Sequence, residues 1–397
     1  MAKLSARLNR LAPSATLVMS QKSNEMKAQG IDVINLSVGE PDFNTPDAIK
    51  ELAKKAIDDN YSRYSPVPGY PSLRKAISEK LSKENHLQYS PSEILVSNGA
   101  KQCVCNAIMA LVDDGEEVII PAPYWVSYPQ MVKLAGGIPV VVPTGFGQNF
   151  KMTAAQLEAA ITPKTRMIIL CSPSNPTGSV YTKEELRALA DVVLAHDDLF
   201  VLADEIYEHI NYTGHHESIG QFDGMKDRAI IINGVSKAYA MTGWRIGFMA
   251  APEWIVKGCN KLQGQYTSGA CSVSQKAAEA AYVLPQDCVE EMRQAFERRR
   301  DLIVALAKDI PGLEVNVPEG AFYLFPKCDS FFGKSDGTTT INNSTDLALY
   351  LLDRAHVATV AGDAFGDPEC FRMSYATSDT NIREAMRRIK EALGVLQ

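Results

Sequence analysis

Short apolar runs alternate with helix-like segments through the middle of this 397-residue chain, from about residue 90 to residue 250. Each run is only a few residues long and rich in Ile, Val and Leu, as is typical of strands buried on both faces. Strands that alternate with helices form parallel sheets covered on both faces. The pattern predicts an α/β domain with a mainly parallel, mixed sheet. The predicted strands are 94–96, 117–120, 138–142, 167–170, 200–203, 230–232 and 246–250.

The two ends of the chain are predicted to form a smaller α+β domain. A long charged helix containing residues 297–301 follows the alternating region, and its charges are expected to form a solvated face. The elements predicted beyond it are strands at 320–325 and 371–375, an exposed polar loop at 335–345, and helices at 347–355 and 381–393. The predicted division is an N-terminal arm with part of the small domain at 1–46, a large domain at 47–290, and a C-terminal small domain at 291–397.

Composition and charge narrow the class of protein. The net charge of -7 provides no basic field for nucleic acid. The first ten residues lack the apolar core of a signal peptide, and no uncharged apolar stretch approaches the roughly 20 residues that span a bilayer. The eight cysteines are scattered, and beyond Cys103 and Cys105 no second pair has a metal-ligand spacing. We therefore expect a reduced, cytoplasmic protein that binds no metal, nucleic acid or membrane.

One lysine, Lys237, stands among small and apolar residues shortly after the run at 229–232. A lysine held in such surroundings loses hydration, which disfavours its charged form and produces a neutral, nucleophilic amine. Such an amine can form a Schiff base with a carbonyl compound. The alternative is a lysine at the end of a strand, with its side-chain ammonium group in solvent. For a lone lysine this is the commoner case.

Two further motifs follow predicted strands, where ligands bind at the carboxyl edge of a parallel sheet. Asp204 and Tyr207 come after the strand at 200–203. A carboxylate there can pair with a protonated ring nitrogen, and the alternative is a helix N-cap followed by a packed aromatic residue. Asn175 lies in a Pro- and Gly-containing loop, where its amide can donate to an oxyanion or serve the turn itself.

The segment 97–102 opens a helix directly after a strand, so its free N–H groups favour phosphate. The alternative is an ordinary strand-to-helix turn. No Walker sequence and no well-placed GxGxxG is present, which argues against ATP and dinucleotides. Trp125 can lie against a flat ring or fill a gap in the core. Arg245 and Arg372 can each bind a phosphate or carboxylate through two hydrogen bonds, or serve a structural ion pair.

Together these motifs resemble the fold type I pyridoxal-phosphate enzymes, and specifically the class I aminotransferases. The resemblance extends from about residue 5 to the end of the chain. It is closest to the bacterial branch of aspartate aminotransferases that contains Pro-Tyr-Trp-Val-Ser-Tyr-Pro, here residues 123–129. The other segments that carry it are 38–43, 64–66, 172–178, 204–207, 236–237 and 372–375.

The resemblance implies a role for each motif residue toward pyridoxal 5′-phosphate. Lys237 would hold the cofactor as a Schiff base and then move a proton between the substrate Cα and the cofactor. Asp204 would keep the pyridine nitrogen protonated, so that the ring acts as an electron sink. Tyr207 and Asn175 would form hydrogen bonds with the 3′-oxygen, and Trp125 would stack on the ring.

The resemblance also implies how phosphate and substrate are held. The residues implied for the phosphate are Ser236, Arg245 and the backbone of Gly99, Ala100 and Lys101, although close relatives often carry glycine where Ala100 stands. Tyr64 would reach the phosphate of the neighbouring subunit, which makes a homodimer the functional unit. The residues implied for the substrate are Gly39, Asn175 and Arg372 at the α-carboxylate, with Trp125 and Lys101 beside them.

The resemblance implies that Lys101 determines which substrate is preferred. In this branch a lysine at its position meets the distal carboxylate of aspartate or glutamate, which favours aspartate with 2-oxoglutarate. The alternative is a lysine that only adds positive charge near the phosphate. Relatives that accept prephenate use the same lysine, but they tend to carry a basic residue in the N-terminal segment, where this chain has Ala12.

Other activities stay open as alternatives. Transamination of prephenate, aromatic amino acids or alanine, and β-elimination at a C–S bond, would use the same cofactor residues. A pyridoxal-phosphate-binding transcription sensor would need a DNA-binding module, for which the chain has no spare length or basic helix. A nicotinamide dehydrogenase would need a glycine fingerprint that the sequence lacks.

Overall fold

A computed structural model describes residues 4–397, whose centre is a large mixed sheet. The strands in chain order are β1 (Ile34–Asn35), β2 (Ile94–Asn98), β3 (Glu117–Ala122), β4 (Ile138–Pro143), β5 (Thr165–Cys171), β6 (Phe200–Asp204), β7 (Ala229–Gly234), β8 (Ile246–Ala250), β9 (Tyr323–Leu324), β10 (Val357–Ala358), β11 (Val360–Ala361) and β12 (Phe371–Ser374). Within the described residues the large sheet has seven strands in the order β2-β8-β7-β6-β5-β3-β4. β8 runs antiparallel to its neighbours β2 and β7, and the remaining pairs are parallel. The predicted α/β class with a mainly parallel, mixed sheet is confirmed.

Helices pack on the large sheet and on the smaller sheets beside it. In chain order they are α1 (Ala6–Asn9), α2 (Ala15–Ala28), α3 (Asp47–Asp58), α4 (Pro71–Glu84), α5 (Ala100–Leu111), α6 (Tyr128–Ala135), α7 (Ala154–Ala160), α8 (Lys183–Leu194), α9 (Glu253–Tyr266), α10 (Ser272–Val283), α11 (Asp287–Lys308), α12 (Ser344–Ala355) and α13 (Asp379–Gly394). α8 begins at a capping box in which Thr182 and Glu185 each accept a hydrogen bond from the other's backbone amide. These bonds satisfy amides that the first turn of a helix leaves free. Between residues 4 and 397, no helix combines the length and the apolar character needed to cross a membrane.

Both faces of the large sheet are buried. In β7, Ile231 belongs to the apolar cluster on one face, whereas Ile230 and Ile232 belong to the cluster on the other. All three side chains are fully buried. Successive side chains of a strand point to opposite faces, so helices on both faces require an uninterrupted apolar run. Each such side chain contributes about 1.5–3 kcal/mol to folding.

Elements from both ends of the chain form a second, smaller unit. β1 pairs in parallel with β10, while β9, β12 and β11 form a small antiparallel sheet. α11, α12 and α13 contribute to the apolar cluster of this unit. A smaller domain beside the large one is confirmed. The boundaries after residues 46 and 290 stay predictions, and residues 1–3 of the predicted arm lie outside the described residues.

The strand predicted at 320–325 is shorter than expected. Only Tyr323–Leu324 pairs as a strand, because the chain turns at Ala321, where φ is 56°. Gly320 lies tightly against the loop that contains Pro173, and a Cβ on Gly320 would lie 2.6 Å from the Pro173 Cβ. Glycine is required for this approach, which brings the small domain against a loop at the edge of the large sheet.

The predicted exposed loop at 335–345 is partly wrong. Ile341 is fully buried, and α12 already begins at Ser344. Asn343 caps this helix, and its side-chain oxygen accepts a hydrogen bond from the Asp346 amide at 2.9 Å. The prediction failed because polar residues on both sides mask one buried isoleucine, and because an Asn suits both a loop and a helix cap.

The charges of residues 297–301 do not all form a solvated face. Arg299 is only 7% exposed, and its guanidinium donates to both carboxylate oxygens of Asp42 at 2.7 and 3.0 Å. The neighbouring Arg300 donates to the Pro318 carbonyl at 2.7 Å. Two-point ion pairs of this kind have fixed geometry. The Arg299–Asp42 pair therefore attaches the segment after β1, which includes Gly39, to α11.

Candidate active site

All the predicted functional residues except Tyr64 and Gly99 line one cavity of about 390 Å³. It lies at the carboxyl edge of the large sheet, where β6 ends at Asp204, β7 leads into Lys237, and β2 leads into α5. Open α/β sheets bind their ligands at this edge. The predicted residues that line the cavity are Gly39, Ala100, Lys101, Trp125, Asn175, Asp204, Tyr207, Ser236, Lys237, Arg245 and Arg372.

Lys237 lies in this cavity, and its Nζ donates a hydrogen bond to the Gly39 carbonyl at 2.5 Å. Loss of hydration is the largest influence on this amine. The negative charge of Glu40 raises the pKa of Lys237, whereas burial and the positive charges of Arg372 and Arg245 lower it. The net result is a pKa of about 8. A substantial fraction of the amine is therefore neutral at mildly basic pH, as attack on a carbonyl requires.

Asp204 is a buried carboxylate at the end of β6. The Tyr128 hydroxyl donates to its Oδ2 at 2.7 Å, and the Ile206 amide donates to its Oδ1 at 3.3 Å. Burial raises the pKa of Asp204 to about 6, and these two bonds offset only part of that effect. A positive group in the cavity would lower this pKa again and stabilise the carboxylate.

Arg372 is almost completely buried on the small-domain side of the cavity. Its guanidinium donates to Asn175 Oδ1 at 2.9 Å and to the Ser37 carbonyl at 2.6 Å. Among residues 4–397, the Nε of Arg372 finds no hydrogen-bond partner. A buried guanidinium that lines the cavity and has no carboxylate partner among the described residues is suited to a carboxylate ligand.

Arg245 and Gly99 form a corner suited to an anion. The Arg245 guanidinium donates to the Thr242 carbonyl at 2.9 Å and lies 3.4 Å from the Asn98 carbonyl. Gly99 has a φ of 82°, and a Cβ there would lie 2.4 Å from an Arg245 nitrogen, so glycine permits this approach. α5 begins at Ala100, and the free amides of a helix N-terminus also favour anions.

Lys101 and Trp125 lie together in the cavity wall. The Lys101 Nζ is 4.9 Å from the centroid of the Trp125 ring. Loss of hydration, followed by the charge of Arg245, lowers the pKa of Lys101. The attraction between an ammonium and an indole contributes only about 0.5–1 kcal/mol at an exposed site. A bound carboxylate can therefore compete for this ammonium.

Tyr64 stands apart from the cavity of its own chain. Its side chain is 99% exposed, although the adjacent Ser65 is anchored by hydrogen bonds to the Ala270 carbonyl and to Gln275. A fully exposed side chain on an anchored loop is available for contact with another molecule. The proposed contact of Tyr64 with a second subunit stays a prediction.

The cavity also contains residues to which the sequence motifs assign no role. Tyr128 follows Trp125 by three residues, and its amide donates to the Trp125 carbonyl at 3.0 Å in the turn before α6. Tyr323 lies in a segment whose pattern predicts only a strand, and Thr16 comes from α2 near the N-terminus, so no local pattern connects either to the site. The additional lining residues are Thr16, Leu17, Tyr128, Cys171, Ile206, Thr242 and Tyr323.

A buried ion pair holds the turn that follows Tyr207. The Lys80 ammonium donates to the Glu208 carboxylate and, at 2.7 Å, to Asn85 Oδ1, while Asn85 donates to Glu208 at 2.6 Å. Burial alone would raise the pKa of Glu208, but the charges of Lys80 and two nearby histidines outweigh it and hold that pKa below its usual range. Breaking such a pair is costly, because loss of either partner would leave an unpaired buried charge. The pair therefore holds the turn in place.

Known proteins resemble this chain over its whole length. The family described as "Aminotransferase class I and II" matches residues 31–389. A probable aspartate/prephenate aminotransferase of Rhizobium leguminosarum bv. phaseoli is 48% identical over 398 residues, which cover 99% of each chain. An aspartate aminotransferase of Geobacillus stearothermophilus is 48% identical over 390 residues, 98% of each. The crystal structure of the aspartate aminotransferase from Rhizobium meliloti matches with a TM-score of 0.97 and 44% identity over 100% of both chains.

The large mixed sheet, the smaller domain and the lysine after β7 define a fold type I enzyme. The chain belongs to the class I and II aminotransferases, which depend on pyridoxal 5′-phosphate. The side chains in the cavity fit this cofactor. The buried carboxylate of Asp204 would be stabilised by a positive partner such as a protonated pyridine nitrogen, and the corner of Gly99 and Arg245 is suited to a phosphate.

Proposed function

We propose that this transaminase moves the amino group of L-aspartate to 2-oxoglutarate, producing oxaloacetate and L-glutamate. The observation that carries this proposal is the presence of two separate cations, Arg372 and Lys101, in the wall of one cavity. Each substrate of this reaction carries two carboxylates. The names of the two curated relatives, an aspartate aminotransferase and a probable aspartate/prephenate aminotransferase, support the same choice. The second name makes prephenate the second candidate oxo acid.

In this proposal the substrate is held at both ends. Arg372, which lines the cavity, would bind the α-carboxylate, while its bonds to Asn175 and the Ser37 carbonyl hold the guanidinium in place. Lys101 would bind the distal carboxylate from beside Trp125. Binding at two points fixes the position of the substrate Cα, which reduces the entropy lost on the way to reaction.

Lys237 would then remove the proton from the substrate Cα and deliver it to the cofactor. Its lowered pKa suits this task, because a base is most effective when its pKa lies near the working pH. The bound cofactor supplies an electron sink for the negative charge left at that carbon. Asp204 would hold the ring nitrogen in its protonated state.

Other predicted site residues would position the cofactor. Tyr207 and Asn175 would form hydrogen bonds with its 3′-oxygen, and Trp125 would cover one face of its ring. The residues proposed for its phosphate are Gly99, Ala100, Lys101, Ser236 and Arg245. Gly39, whose carbonyl accepts a hydrogen bond from Lys237, would lie beside the α-carboxylate of the substrate.

Titration of the holoenzyme with single amino acids tests this proposal. Aspartate and glutamate are expected to convert the visible absorbance of the lysine-bound cofactor to that of its amine form at lower concentrations than alanine or phenylalanine. Lys101→Gln should raise the aspartate requirement about tenfold to a hundredfold, because a hydrogen bond to a charged group contributes about 1.5–3 kcal/mol. The alanine titration should change much less.

The exposed Lys164 provides a matched control, since Lys164→Gln removes a lysine charge outside the cavity. If aspartate leaves the spectrum unchanged, the substrate assignment is wrong. Oxo acids are compared by the reverse conversion of the amine form. A stronger response to prephenate than to 2-oxoglutarate or oxaloacetate would favour the second candidate.

We also infer that the working enzyme is a homodimer in which Tyr64 completes the partner's phosphate site. The exposure of Tyr64 on an anchored loop supports this. Mixing Tyr64→Ala with Lys237→Ala subunits should restore activity, because each hybrid dimer would contain one site with both native residues. Activity equal to the sum of the separate variants would contradict a shared site.

We further propose a cytoplasmic, reducing location, supported by the eight cysteines, all free thiols.

A further inference from the structure

Two buried tyrosine hydroxyls meet at the wall of the cavity. The oxygens of Tyr207 and Tyr323 lie 2.7 Å apart, and the side chains are 4% and 0% exposed. Burial raises the pKa of both phenols, so both keep their protons near neutral pH. Each phenol carries one proton. The bond between them uses one of these protons, which leaves the other for a different acceptor.

The surroundings of Tyr323 determine which proton is left. Its hydroxyl is packed against the backbone of Gly39, where a Cβ would lie 2.5 Å from the hydroxyl oxygen. The guanidinium of Arg372 lies 4.5 Å from the Tyr323 ring centroid, and it offers only donors. Within residues 4–397, Tyr207 is the hydrogen-bond partner of this hydroxyl. Tyr323 lines the cavity together with Tyr207 but is 0% exposed, against 4% for Tyr207, so Tyr207 is the better placed of the two phenols to donate into the cavity.

We propose that Tyr323 is a positioning residue whose O–H donates to the Tyr207 hydroxyl and so leaves the Tyr207 proton for a ligand oxygen in the cavity. This inference rests on the proposed function, in which that oxygen is the 3′-oxygen of the cofactor. Hydrogen bonds in a chain polarise one another, so donation by Tyr323 strengthens donation by Tyr207. Stronger donation by Tyr207 to the 3′-oxygen would favour the neutral form of the nitrogen that joins Lys237 to the cofactor. Tyr323 thereby lowers the pKa of that nitrogen without contacting it.

A pH titration of the visible absorbance of the holoenzyme tests this. Tyr323→Phe should raise the midpoint by roughly 0.2–0.7 pH unit, a modest fraction of the effect of a charge-assisted hydrogen bond. Tyr207→Phe should raise it further. The double variant should have the same midpoint as Tyr207→Phe alone, because Tyr323 then has no phenol to which it can donate.

Tyr375→Phe is the matched control. The hydroxyls of Tyr375 and Tyr212 form a comparable pair, 3.3 Å apart, outside the lining of the cavity. The control should keep the midpoint of the unmodified protein. An unchanged midpoint in Tyr323→Phe, or a further shift in the double variant, would overturn the role of Tyr323. If the unmodified protein forms no visible lysine-bound chromophore, the proposed function is wrong instead.

Discussion

Lys237→Ala is expected to abolish transamination while cofactor binding persists without the covalent bond. The substitution removes both the amine that attaches the cofactor and the base proposed to move the proton at the substrate Cα. Loss of a general base alone slows a reaction by about 10²–10⁴-fold, and loss of the attachment should add to this. Initial rates with aspartate and 2-oxoglutarate measure the loss, and the absorbance spectrum reports whether the cofactor remains bound.

The pKa of about 8 for Lys237 adds a second measurement to this prediction. Only the neutral amine attacks a carbonyl, so the apoprotein should form its visible chromophore faster as the pH rises, with a plateau above about 8. The exposed Lys164 again provides the control, because Lys164→Ala should keep both activity and chromophore. Measurable turnover by Lys237→Ala would contradict the assigned role.

The residues at the strand ends could be predicted from sequence because local patterns place them. Asp204 directly follows four apolar residues, and Lys237 follows shortly after the run at 229–232. In a parallel sheet, such positions meet at one edge whatever the length of the connections between them. Local patterns could therefore place these residues at one cavity without information on long-range contacts.

The contacts made by the small domain could not be predicted in this way. Tyr207 and Tyr323 are 116 residues apart, and their contact depends on how the two domains pack. Arg299 has the sequence context of a solvated helix, yet its partner Asp42 lies 257 residues earlier. Charged residues are buried when a partner is available. A partner that distant leaves no trace in the local pattern.

Asp204→Asn is the second substitution expected to have a large effect. An amide cannot stabilise a protonated ring nitrogen as a carboxylate does, so the cofactor would lose its capacity as an electron sink. Removing one member of a buried charge pair costs about 3–5 kcal/mol, which corresponds to a fall in kcat/KM of roughly 200- to 5000-fold. The anion corner at Arg245 is unaltered, so cofactor binding should weaken less than activity falls.

A cofactor analogue with a methyl group on the ring nitrogen distinguishes this role from a structural one. Its nitrogen is positive without a proton, so it should restore much of the activity of Asp204→Asn but none of that of Lys237→Ala. Tyr128→Phe should have a smaller effect than Asp204→Asn, because it removes one of the two hydrogen bonds that hold the Asp204 carboxylate. Failure of the analogue to rescue Asp204→Asn would show that Asp204 serves the packing at the end of β6. In that case the charge on the ring would have to be stabilised by another group.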